Sequence, residues 1–136
     1  MRKNNKNIKT RKKSQHTSTT INHLVKKLLK LQIQIKFKHW NTTSYKTHMV
    51  TDKFSEKISG HIDMLVEVLI GQGHKLSPVT HYYNDIDDIT TRTSLHHILT
   101  DIIKNIKDII SPNNVKAILD DIVIDIHRFN YLMVMS

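Results

Sequence analysis

Residues 39–67 read HWNTTSYKTHMVTDKFSEKISGHIDMLVE, and the periodicity of this stretch decides the fold. On a helix turning about 100° per residue, with His48 at the origin, Phe54, Ile58, Ile62, Leu65 and Leu69 fall between about 240° and 320°. That is the apolar stripe of a core-facing helix. The chemistry lies beside it: Asp52, Asp63 and Glu67 follow His48 at about 40°, 60° and 100°. One side of the helix is built for packing, and the adjoining side carries imidazole and carboxylate. The pattern predicts a helix from Tyr45 or Thr47 to Ile70, stopped by Gly71 and Gly73.

Upstream, Thr19 or Thr20 can cap a first helix that runs to His39 or Trp40. Ile21, Leu24, Val25, Leu28, Leu31 and Ile35 recur along it at helical spacing, and His39 continues the stripe. Asn41–Ser44 reads as a short connection. Downstream, 72–93 is a long polar connection containing Pro78 and the acids Asp85, Asp87 and Asp88. A third helix is expected over Ser94–Ile110, with Leu95, Ile98, Leu99, Ile102, Ile106 and Ile109 on one face. After a break at 111–114, a fourth helix over Val115–Met135 carries Ile118, Leu119, Ile122, Ile126, Phe129 and Met133. The predicted architecture is all-α: a ferritin-like four-helix bundle over 19–136, with one long crossover between helices two and three.

Charge divides the chain unevenly. Residues 1–51 contain 13 Lys or Arg and no acid, whereas 52–136 contain 8 basic and 12 acidic residues. Residues 1–18 hold seven of the cations, Arg2, Lys3, Lys6, Lys9, Arg11, Lys12 and Lys13, and one branched aliphatic, Ile8. Such a segment buries too little surface to offset its ordering entropy, so a disordered basic arm is expected. Its chemistry suits sequence-independent binding to the phosphates of double-stranded DNA, or a targeting tail. The arm has no aromatic side chain to stack on bases. The absence of cysteine excludes disulfides and thiolate chemistry and fits an intracellular protein, in cytoplasm, nucleoid or virion. No apolar run is long enough to span a membrane.

Five residues form the candidate metal set: His39, His48, Asp52, Asp63 and Glu67. An intrasubunit di-iron centre of the ferritin type uses two Glu-x-x-His motifs. This chain has only two glutamates, Glu56 and Glu67, and neither starts such a motif. The set flanks the core stripe instead, where it can face a neighbouring subunit. Mixed carboxylate and imidazole donors suit Fe(II), with zinc as a possible substitute. His61 and the pair His96–His97 lack an acid at a matching interval and read as surface residues.

His39-Trp40-Asn41, then His48-x-x-x-Asp52, then Asp63-x-x-x-Glu67 resembles the Dps family of mini-ferritins, DNA-binding proteins from starved cells. The intervals of eleven from Asp52 to Asp63 and four from Asp63 to Glu67 match that family's pattern. The His39–His48 interval of nine is shorter than is usual there. The resemblance implies a homo-oligomer, a dodecamer built from dimers, with a hollow cavity. It also implies a ferroxidase centre at each dimer interface, with His39, His48 and Asp52 from one chain and Asp63 and Glu67 from its mate. The implied activity is oxidation of two Fe(II) per site by hydrogen peroxide or oxygen, iron storage, and DNA protection under oxidative stress. Trp40 would lie near the site as a radical trap or an interface aromatic. The alternative is a structural DNA-binding protein of nucleoid or virion that keeps the fold and arm without ferroxidase activity.

Overall fold

The computed structural model describes residues 4–78, 95–111 and 113–135, with side chains from Thr20 onward. They form four α-helices: α1 Asn4–Asn41, α2 Tyr45–Gly71, α3 Leu95–Asp108 and α4 Asn113–Val134. There is no strand among the described residues. The chain is a four-helix bundle.

The apolar stripes read from the sequence meet in one core. Leu24, Leu28, Leu31 and Ile35 of α1 pack with Phe54, Ile58, Leu65 and Leu69 of α2. Leu99 and Ile102 of α3, with Ile122 and Ile126 of α4, close the other side. α1 packs on α2 and α3, and α4 packs on the same two helices. Helix directions follow from contacts at the two ends. Asn22 Nδ2 donates to the Lys75 carbonyl at 3.4 Å, while His39 meets His48 at the other end, so α1 and α2 are antiparallel. Lys57 and His61 of α2 reach Asp125, and Phe54 stacks on Phe129, so α2 and α4 are antiparallel too.

Two helix ends have local causes. The Ser44 hydroxyl accepts from Thr47 N–H at 3.2 Å and caps α2, which therefore begins at Tyr45. At the other end Gly73 takes φ +90°, a left-handed conformation that a side chain disfavours. His74 N–H then bonds back to the Leu69 carbonyl at 3.0 Å, closing the helix as the two glycines foretell.

One boundary differs from expectation. α1 starts at Asn4, where the sequence reading places a disordered arm over 1–18 and a cap at Thr19 or Thr20. Residues 4–20 contain neither Pro nor Gly, and several are good helix formers. A helix already nucleated by the packed segment extends backwards one bond per residue without a new nucleation cost. The expected crossover between α2 and α3 lies outside the described residues from position 79 to 94.

Candidate functional site

The corner between α1 and α2 holds two of the five expected ligands in direct contact. The three-residue link 42–44 is short enough that the last turn of α1 packs on the first of α2. The rings of His39 and His48 stack, with centroids 3.9 Å apart and planes 25° from parallel. Each ring also bonds the other's backbone. His39 Nδ1 lies 3.0 Å from the His48 carbonyl, and His48 Nδ1 lies 3.3 Å from the His39 carbonyl. A carbonyl can only accept, so both Nδ1 atoms carry hydrogen. In a neutral ring this leaves the Nε2 lone pair available to a metal, the usual way a ligating histidine is oriented.

Thr51 locks the clasp from inside. It is fully buried, donates to the Thr47 carbonyl at 2.7 Å, and lies 3.2 Å from His39 Nδ1. Thr51→Val keeps the shape and removes the hydroxyl. The variant is expected to lose about 1 kcal/mol of stability, read as a lower urea midpoint at unchanged m-value. A midpoint equal to wild type would show that the hydroxyl contributes nothing.

The other three expected ligands lie along α2. Asp52, half-buried, follows His48 by one turn; Asp63 and Glu67 are exposed. A straight helix rises about 1.5 Å per residue, which separates Asp52 from Asp63 by about 16 Å along the axis. Accordingly, no group of three or more His, Cys, Asp or Glu is placed to hold one metal ion within the chain, among the described residues. Trp40 is exposed beside the corner, edge-on to Phe37 at 5.7 Å. Of the basic residues expected to contact nucleic acid, Arg2 and Lys3 lie outside the described residues. Lys6, Lys9, Arg11, Lys12 and Lys13 fall in the first turns of α1.

The sequence reading missed a polar bridge between α2 and α4. It treats His61 as a surface residue, but His61 Nε2 lies 2.6 Å from Asp125 Oδ2, and both side chains are largely shielded. Lys57, one turn earlier, reaches Asp125 Oδ1 at 3.2 Å. Burial pushes the Asp125 carboxyl up, but the hydrogen bonds and charges of His61 and Lys57 outweigh it and hold its pKa below the ordinary value. A depressed carboxyl contributes stability that is present above its unfolded pKa of about 3.9 and is lost as pH falls through the lower folded value. Asp125→Asn should therefore be less stable than wild type at about pH 5, with the margin closing as pH falls below about 4. Thermal melts across that range check it; a margin that persists at low pH would assign the loss to packing instead.

The site is thus an imidazole pair at one end of an acid-lined helix face, on an all-helical bundle. By sequence, the chain belongs to a family of unknown function (DUF5856), whose profile matches residues 39–133. The match begins at His39 and takes in the candidate metal set. No curated protein and no solved structure matches the chain.

Proposed function

We propose that the chain is a Dps-like iron-oxidising and iron-storing protein whose ferroxidase centre is completed by a second copy of itself. The observation that carries this reading is a mirror relation in the numbering of α2. In a two-fold antiparallel contact centred between Lys57 and Ile58, each residue meets the one equally far on the other side of that centre. His48 then faces Glu67 of the mate, and Asp52 faces Asp63. The same operation puts exposed Tyr45 opposite exposed Ile70, and Glu56 opposite Ser59. One translation-free rotation therefore aligns the four candidate ligands of α2, and His39 joins them through its stack on His48.

Electrostatics makes the pairing meaningful. No Lys or Arg lies on the arc that carries His48, Asp52, Asp63 and Glu67. Facing carboxylates repel unless a cation is held between them. Fe(II) answers that requirement, with the Nε2 atoms of His39 and His48 as neutral donors and the acids as anionic ones. Two Fe(II) at such a centre give up one electron each, and one hydrogen peroxide with two protons becomes two waters. Gly60 leaves open space beside the contact, since a Cβ there would meet nothing within 4 Å.

A second reading, a structural DNA-binding protein without the centre, is favoured by α1, whose 38 residues include no acid. Peroxide consumption separates the two. The ferroxidase reading expects Fe(II)-dependent consumption that drops to the buffer rate in Asp63→Ala and Glu67→Ala. The structural reading expects DNA condensation that needs Lys6–Lys13, weakens steeply with salt and ignores both carboxylates.

A further inference from the structure

A groove of about 220 Å³ opens between α2 and α4, lined by these two helices alone. Its interior is apolar: Met49, Val50, Phe54, Phe129 and Leu132. Phe54 and Phe129, both buried, stack at 4.2 Å and form the floor of the groove, while Met49 and Leu132 give it exposed apolar surface. Its charged residues are Lys53, Lys57, Arg128 and Asp125. Asp125 is already bonded by His61 and Lys57, which leaves its carboxylate little capacity to neutralise the rest. Lys53 and Arg128 are exposed and pair with no acid among the described residues. The groove thus combines an apolar interior with an unneutralised cationic mouth.

That combination selects its occupant by charge and polarity together. An inorganic anion would leave the exposed apolar lining of Met49 and Leu132 uncovered, and a neutral hydrocarbon would leave Lys53 and Arg128 without a counter-charge. An arginine fork matches the two oxygens of a carboxylate, and such charge-assisted bonds are among the strongest available at a surface. The volume is small beside that of drug-sized pockets, which suits one short chain better than a lipid with two. We propose that this groove binds a free medium-chain carboxylate, with its chain along Met49, Val50 and Leu132 above the Phe54–Phe129 pair and its carboxylate between Lys53 and Arg128. Such a ligand would sit on the flank of α2 next to the arc of metal-set residues, and its binding does not depend on iron.

Calorimetric titration of the full chain with hexanoate, octanoate and decanoate tests this directly, with octanol and inorganic phosphate as the apolar and charged halves alone. Affinity should rise by about fourfold per methylene until the groove is full. Octanol and phosphate should each bind at least about tenfold more weakly than octanoate. The double variant Lys53→Gln with Arg128→Gln should weaken octanoate by about tenfold or more, while Lys104→Gln on α3 should leave it unchanged. All the variant sites are exposed, so the fold is preserved. Octanol binding as tightly as octanoate, equal affinity in the double variant, or no saturable heat with any carboxylate would each overturn the assignment.

Discussion

Co-assembly of His48→Ala and Asp63→Ala chains is expected to restore about a quarter of the wild-type iron oxidation, although each variant alone oxidises iron no faster than buffer. The arithmetic comes from the two-fold contact. Each dimer has two centres, and each centre takes His48 and Asp52 from one chain and Asp63 and Glu67 from the other. In a pure His48→Ala dimer both centres lack an imidazole; in a pure Asp63→Ala dimer both lack an acid. A mixed dimer concentrates both defects in one centre and leaves the other intact. Random pairing makes about half the dimers mixed, hence about one centre in four complete. A site contained within one chain predicts no recovery at any mixing ratio. Co-expression with two different affinity tags yields the mixed species, and stopped-flow oxidation reads the rate.

The second large effect is on stability. Phe129→Ala should cost about 3–5 kcal/mol, the usual range for deleting a buried aromatic. Phe129 is only 3% exposed, and its ring stacks on Phe54 with planes 20° from parallel. The substitution therefore removes both buried area and an aromatic pair that joins α2 to α4. A domain of this kind is stable by about 5–15 kcal/mol in total, so the loss is a large fraction. Urea unfolding followed by circular dichroism measures it, with Tyr131→Ala as the comparison. Tyr131 lies in the same helix but is 63% exposed, and its loss should stay within about 0.5 kcal/mol. Equal midpoints for the two variants would mean that the core does not depend on this pair.

The helices were legible because their apolar residues recur at a period the backbone imposes. Phe54, Ile58, Ile62, Leu65 and Leu69 share one arc in the sequence and are all buried in the structure. The start of α1 was not legible, because charge content argues against burial but does not stop a helix from continuing. Asp125 was missed for a different reason. It borders the core stripe Ile122–Ile126–Phe129, and its partners His61 and Lys57 lie on another helix. Intervals within one helix reveal neighbours on that helix, whereas a bridge between helices requires the relative rotation of both. Thr51 carried a signal that could have been read: at about 300° it falls inside the core arc of α2. A threonine there must bond inward, and it does so with the Thr47 carbonyl. The stacking of His39 on His48 likewise depends on the length of the 42–44 link, which brings the two helix ends together.

Anaerobic titration of the purified chain with Fe(II), followed by a peroxide pulse and run beside Asp63→Ala, tests the central claim most directly. The account predicts saturation near about two Fe(II) per chain, the content of a two-metal centre at each half of a dimer, and fast oxidation that the variant lacks. Unsaturable binding, or oxidation at the buffer rate in wild type and variant alike, would contradict it.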